Sequence, residues 1–222
     1  IFLLDQNHKF SKVFSGNDLT AFTMADKDRK IIVGTTNGYF TLDAQSYQLI
    51  GAIQTRLPVT YITAVEEIDG QLWFGTNQGA FKLKADTKYD YYYGERWIPN
   101  NLVKQIKSGP DQSVLILTSA GVGQIVFKSM TLADKADFFE QQVRSRNIRN
   151  GFNATRRGMV KGDISTGYLE DSDNDGLWTT MYLGAEVFKY AVTKDTATLA
   201  YCKESLDAME RLYDITPVPG FP

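Results

Sequence analysis

Apolar and polar residues alternate through the first part of the chain. Ile62 and Ala64, then Leu72 and Phe74, fall on one side of such alternations, and turn-forming Asp, Asn and Gly clusters bound the runs. Those are strand and hairpin signals. From Met130 the apolar spacing changes from two to about 3.6, which predicts a β-rich domain over 1–129 and a helical one over 130–222. Thr131-Leu-Ala-Asp134 reads as a capping box with Asp in the place of Glu. Leu132, Ala136, Phe139 and Val143 then form an apolar stripe on a helix expected to end near Arg149. Beyond Asn150-Gly151 comes a long polar loop, 153–176, without clear periodicity. A loop of this length inside a compact domain is usually functional or disordered. A helical hairpin follows, with Trp178, Met181, Ala185, Phe188 and Val192 as the expected buried stripe of its first helix. Leu199, Cys202, Leu206, Met209 and Tyr213 are the expected stripe of the second, capped by Asp195 or Thr196. Cys202 therefore reads as a small core hydrophobe rather than a nucleophile.

The alternating part repeats. Segments starting at Leu19, Ile62 and Val103 share an apolar strand, a small residue followed by Thr, then Gly and another strand. Gly34-Thr35 with Gly38 recurs as Gly75-Thr76 with Gly79, 41 residues on, and Leu117-Thr118 with Gly121 follows 42 residues later. A period of about 40–45 residues with about four strands per unit is the spacing of propeller blades. The competing reading is a β-sandwich whose hairpins are alike by chance. Tyr91-Tyr92-Tyr93 with Trp97 fits the outer strand and corner of the second blade, or a sugar-stacking patch.

The stretch GQLWFGTNQGAFKLKAD resembles the two-component-regulator propeller repeat, G-x-L-W-x-G-T-x-x-G-L, at Gly70, Leu72, Trp73, Gly75, Thr76 and Gly79. The first copy has Ile32 at the Trp place, and the third departs further. The resemblance covers Ile1 to Lys128 and implies an extracytoplasmic sensor propeller of a kind often implicated in sensing glycans. IFLLDQ aligns with YFTLDAQ, so Ile1 falls where Tyr39 sits, and the chain is expected to be a fragment that begins within a blade. A second resemblance covers Tyr92 to Pro222, through ERWIPNNLV, MTLADKADFFEQ, GDIST, DSDNDGLWTTMYLGAEVFKYAVTKD and ITPVPGFP. These strings are similar to a bacterial group that joins propeller repeats to an (α/α) toroid like those of glycan-processing hydrolases and lyases. The expected fold is thus mixed: a partial β-propeller of about three blades, then the start of an (α/α)-toroid-like helical domain.

Composition removes several functions. A net charge of −2 gives no basic footprint for nucleic acid, and no apolar run reaches the ~18 residues of a membrane span. A single cysteine leaves no internal disulfide and no cysteine-rich zinc site. The only histidine, His8, reads as an exposed loop residue.

The chemistry concentrates in DSDNDGLW. Asp171, Asp173 and Asp175 stand at positions 1, 3 and 5 of an EF-hand-like calcium loop, with Gly176 at position 6. Tyr182 occupies position 12, where a bidentate Glu belongs, and Glu186 lies a turn further on. A Ca2+ site here would borrow a ligand from Glu170, Asp163 or a backbone carbonyl. A catalytic reading takes Asp163, Glu170 and Asp175 as acid–base carboxylates. Arg156 and Arg157 would then grip an acidic sugar, and Trp178 or Tyr182 would stack on a sugar ring. The third reading is a helix start, with Asn174 or Asp175 as N-cap and acidic charge at the positive end of the dipole. The functional expectation is an extracytoplasmic protein, periplasmic or extracellular, that binds or processes a carbohydrate or other small ligand at loop 153–176. The alternative is a non-catalytic sensor whose propeller binds the ligand.

Overall fold

The computed structural model describes every residue except 5, 28, 85–87 and 220–222, so parts of the strings IFLLDQ, GQLWFGTNQGAFKLKAD and ITPVPGFP lie outside the described residues. The chain divides into two compact units, Ile1–Lys128 and Ser129–Pro222. The first is built of antiparallel sheets and the second is largely helical.

In the first unit β1 (Phe2–Leu4) pairs with β2 (Phe10–Lys12). A four-stranded sheet follows in chain order: β3 (Leu19–Ala25), β4 (Lys30–Thr35), β5 (Gly38–Asp43) and β6 (Leu49–Gln54). A second has β7 (Ile62–Ile68), β8 (Gln71–Thr76), β9 (Gly79–Leu83) and β10 (Tyr89–Tyr92). The third contains β11 (Val103–Ser108), β12 (Val114–Thr118) and β13 (Gly121–Ile125).

The repeated Gly-Thr and Gly build the central hairpin of each sheet. Thr35 Oγ1 accepts from the Asn37 N–H at 3.0 Å and donates to the Gly38 carbonyl at 3.0 Å. Thr76 does the same with Gln78 and Gly79 at 3.0 and 2.7 Å, and Thr118 with Ala120 and Gly121 at 3.3 and 2.8 Å. The hydroxyl thereby satisfies both a donor and an acceptor that the tight turn exposes. Gly38 and Gly79 have φ of +103° and +102°, and a Cβ there would lie 2.1 and 2.5 Å from the carbonyl oxygens of Gln54 and Tyr92. Only glycine fits.

Alternation then feeds apolar side chains to both faces of a sheet. Ile32 and Tyr39 of the first sheet pack with Ile62, Val65, Phe74 and Phe81 of the second. Trp73 and Tyr92, on the second sheet's other face, pack with Val103, Ile106, Val114 and Ile116 of the third. Adjacent residues such as Trp73 and Phe74 thus enter different cores, and β8 reads as a nearly continuous apolar run because both of its faces are covered. Polar bonds tie neighbouring sheets at the same repeat spacing. Thr63 Oγ1 donates to the Val103 carbonyl at 2.7 Å, the Asp26 N–H donates to Glu67 Oε2 at 2.7 Å, and Lys107 pairs with Glu66 at 2.8 Å. Within the tyrosine run, Tyr92 is buried and stacked on Trp73 at 5.3 Å between ring centroids, while Tyr91 and Tyr93 point outward. His8 is exposed.

The helical unit opens with α1 (Leu132–Arg146) on the expected capping box: Thr131 Oγ1 accepts from the Asp134 N–H, and Asp134 Oδ2 from the Thr131 N–H, both at 3.1 Å. Two expectations for α1 are corrected. It ends at Arg146, and none of its residues is buried, Leu132 being 84% exposed. Ion pairs join its polar side to the other helices, and of the apolar stripe Leu132, Ala136 and Phe139 are exposed while Val143 is half-buried. The polar loop is also corrected, since it holds two short hairpins. β14 (Ile148–Arg149) pairs with β15 (Phe152–Asn153), and β16 (Thr155–Arg157) with β17 (Tyr168–Glu170). Strands of two or three residues are too short to display alternation.

α2 (Asp175–Thr193) and α3 (Thr196–Ile215) form an antiparallel hairpin turned at Lys194-Asp195. Asp195 caps α3 by accepting from the Thr198 N–H at 2.7 Å. The buried faces differ from the expected stripes. α2 buries Thr179, Tyr182 and Glu186, and α3 buries Thr198, Cys202, Ser205 and Ala208. Trp178, Met181, Phe188, Val192, Leu206 and Tyr213 are exposed. Helix separation depends on the side chains at the contact, so small residues permit a close approach that the large apolar ones would block. Among the described residues, no helix is long and apolar enough to cross a membrane.

Candidate functional site

The helical unit contains a cleft of about 470 Å³ at the start of α2, lined among others by Arg149, Phe152, Asp171, Asp173, Asp175 and Arg211. Local structure explains the gathering. The antiparallel hairpin returns the last turns of α3 beside the first turn of α2: Leu212 Cδ1 lies 3.8 Å from the point where a Cβ on Gly176 would sit. Arg211, the residue before Leu212, lines the same cleft as Asp175. β15 docks on α2 through a bond from the Asn153 N–H to Thr179 Oγ1 at 2.9 Å, which brings Phe152 and Arg149 to the same cleft.

The arginines are held in place. Arg211 donates to the Asn150 carbonyl, and its guanidinium lies 5.6 Å from the Phe152 ring centroid. Arg149 is paired with Asp171, and that hydrogen bond first, with Asp175 at longer range, holds its pKa above the ordinary arginine value. The loop before α2 is tied by Ser172. Its N–H donates to Asp175 Oδ2 at 3.2 Å, its hydroxyl donates to Asp173 Oδ1 at 3.3 Å, and its Oγ accepts from the Asn174 N–H at 3.2 Å. Asp175 Oδ1 is buried and has no hydrogen-bond partner. A buried acceptor without a partner is costly unless water or a ligand satisfies it. Arg149 and Arg211 line the same cleft at the positive end of α2; Arg149 is paired with Asp171, and Arg211 is, among the described residues, the guanidinium there not paired with a carboxylate. The cleft can therefore take a donor such as a hydroxyl at Asp175 and an acidic group at Arg211.

Of the residues singled out in the sequence, Asp171, Asp173, Asp175 and Gly176 line the cleft, and Asp163, Glu170, Arg156, Arg157, Trp178 and Tyr182 do not. Asp163 closes a turn by accepting from the Ser165 hydroxyl and N–H at 2.7 and 2.9 Å, bonds that hold its carboxyl below the usual range. Glu170 pairs with Arg157 across the β16–β17 hairpin. Arg156 donates to the carbonyls of Arg146, Ile164 and Gly167 at 2.7, 2.9 and 3.2 Å, and so clasps the loop between those strands. Trp178 is exposed, and Tyr182 is buried between the helices, where burial first and Glu186 second raise its phenol pKa. The helix-start reading also changes in detail. Asn174 is the N-cap without a side-chain capping bond, and Asp175 is the first helical residue.

Among the described residues no group of three or more His, Cys, Asp and Glu side chains is arranged to hold a metal ion. Asp171 is paired with Arg149, and Asp175 Oδ2 accepts from the Ser172 N–H. Arg149, Phe152 and Arg211 belong to no motif in the sequence. The signal that points to them is the predicted helical hairpin itself, which must bring its last turn beside its first.

No protein-family model matches the chain, and no curated protein matches it. Solved structures with similarity include the extracellular domain of a hybrid two-component system from B. thetaiotaomicron, at 16% identity and TM-score 0.45 over 56% of this chain and 18% of that one. The extracellular domain of another B. thetaiotaomicron hybrid two-component system is similar at 16% identity and TM-score 0.46, over 77% of this chain and 26% of that one. An auxiliary nutrient-binding protein from Bacteroides thetaiotaomicron is similar at 13% identity and TM-score 0.41, over 53% of this chain and 30% of that one. The chain thus spans about a fifth to a quarter of the length of the two sensor domains it matches.

Proposed function

We propose that this chain is part of an extracytoplasmic ligand-binding protein of the sensor kind, and that the cleft at the start of α2 binds a sugar acid or short acidic glycan. The observation that carries the reading is the cleft lining: a cavity of about 470 Å³ lined by Arg211 and by Asp175, one of whose oxygens is buried with no partner. Binding is the reading adopted because two of the three candidate acid–base carboxylates are already engaged: Asp163 is held ionised by Ser165 and Glu170 is paired with Arg157, which leaves Asp175 alone with an unpartnered oxygen. On the same reading the three sheets, which repeat every 41 or 42 residues and pack face on face, are consecutive propeller blades. Helices α1–α3 are then part of an (α/α) array in which Trp178, Met181, Phe188 and Val192 meet further helices.

The test is isothermal calorimetry with galacturonate and digalacturonate, and glucose as the neutral control, on wild type, Arg211→Ala and Asp175→Asn. The acidic sugars bind wild type, and Arg211→Ala weakens them about ten- to a hundredfold, the loss of one hydrogen bond to a charged group. No heat with either acidic sugar, or equal affinity in both variants, would overturn the reading.

A further inference from the structure

Away from the cleft, the three helices enclose polar atoms that packing does not satisfy. Glu186 is 4% exposed, Tyr182 and Ser205 are also buried, and Glu186 Oε2 and the Ser205 hydroxyl have no hydrogen-bond partner, while the Tyr182 hydroxyl lies toward Arg144. The hairpin register puts them at one level. Thr180 Oγ1 lies 3.9 Å from the Met209 sulfur, and Gly176 lies beside Leu212. Ser205 therefore falls between Tyr182 and Glu186, displaced about 3 Å along the axis from each at ~1.5 Å per residue.

Charged groups from every helix surround this level. From α1 come Asp137, Glu140 and Arg144; from α2, Lys189; from α3, Glu204, with the Cys202 thiol close enough for Glu186 to raise its pKa after burial. Lys189 bridges to Asp137 at 2.7 Å and to Glu140. Arg144 binds Glu204 at 2.5 Å and stacks 4.1 Å from the Tyr201 ring centroid. Since α1 buries no residue, polar contacts of this kind, rather than apolar burial, fasten it to the hairpin. With Glu186 neutral, Asp137, Glu140 and Glu204 face Lys189 and Arg144; ionised Glu186 adds a further carboxylate to a cluster already short of cations. Burial, and then the charge of Glu140, push the Glu186 carboxyl up to about 7.

We propose that Glu186 is the proton-binding element of a latch: while its carboxyl is neutral α1 docks on the α2–α3 hairpin, and loss of that proton releases α1. An ionised Glu186 would be a buried charge without a matching partner, which is strongly unfavourable, and the shallow attachment of α1 is the contact that can yield. The sign follows. The docked form holds a proton that the released form gives up, so docking is strongest below the ordinary carboxyl value of 4.5 and weakens as pH rises from there to about 7, above which it changes no further. The latch is independent of what the cleft binds.

Hydrogen–deuterium exchange of the α1 amides, followed by mass spectrometry from about pH 4 to about pH 8.5, tests it on wild type and Glu186→Gln. Both proteins share the α1 sequence, so intrinsic exchange cancels in their ratio. Towards pH 4 the rates converge, and from about pH 7 upward α1 of wild type exchanges at least tenfold faster, the effect of one pKa unit of coupling or more. A ratio that stays constant with pH would overturn the latch. Should the Gln variant fail to fold, Glu140→Gln serves instead. It removes the neighbouring charge that disfavours ionised Glu186 in the docked form, so the rise of α1 exchange with pH is smaller than in wild type, and an unchanged rise would overturn the proposal.

Discussion

Gly75→Ala tests how the sheets of the first unit are held together. A Cβ at position 75 would sit 2.5 Å from Cγ1 of Val103 and 3.1 Å from Cβ of both Val103 and Ala64. Non-bonded carbons settle at about 3.5–4.0 Å, so β11 or the Val103 side chain must retreat by about 1 Å. Val103 is fully buried in the core between the second and third sheets, which leaves little room to do so. Overpacking of this kind costs about 1–3 kcal/mol. Relief of the glycine's backbone entropy returns about 0.5–1 kcal/mol, for a net loss of about 1–2 kcal/mol. Val103→Ala alone removes buried methyls and costs a similar amount. In the double variant the new methyl enters the space just vacated, so the two losses fall short of additive by about 1 kcal/mol. Urea denaturation followed by the fluorescence of buried Trp73 measures all three. Fully additive losses, or a stabilised Gly75→Ala, would refute the reasoning. Gly34 supplies a replica, with its added Cβ 2.5 Å from Cγ2 of Ile62. Leu117 supplies the contrast: it holds the equivalent place on the third sheet and is 38% exposed, so Leu117→Ala changes stability by less than about 1 kcal/mol.

Two further outcomes are expected. Gly184→Ala stabilises the helical unit by up to about 1 kcal/mol in thermal melts, because a mid-helix Cβ there meets nothing within 4 Å; a lowered melting temperature would mean that the position is packed after all. Calcium at millimolar concentration leaves the melting temperature of wild type unchanged, as expected with Asp171 already paired to Arg149 and Asp175 Oδ2 to the Ser172 N–H; a rise abolished in Asp173→Ala would show that the loop rearranges around the ion.

Features carried by near neighbours in the chain are legible in the amino-acid order itself. The Thr–Gly hairpins, the Thr131–Asp134 capping box, the Asp195 cap and the change of period near Met130 depend on bonds and spacings within a few residues. The burial of Cys202 follows from the same periodicity. The hairpins at β14–β17 are not legible, because strands so short carry no pattern. Nor is the inner face of the α2–α3 hairpin. Apolar spacing groups Trp178, Met181, Phe188 and Val192 on one side, but it cannot say which side meets the neighbouring helix, and the small side chains of Thr179, Ser205 and Ala208 decide that by permitting close approach. That Leu117, at the repeat-glycine place, is exposed is likewise seen only in the folded third sheet. The cleft is tertiary for the same reason. Its acidic rim is written as DSDNDG, yet the aspartates become part of a binding surface only when α3 returns Arg211 to the head of α2, because a site between elements depends on which faces meet, and the chain's local order does not encode that.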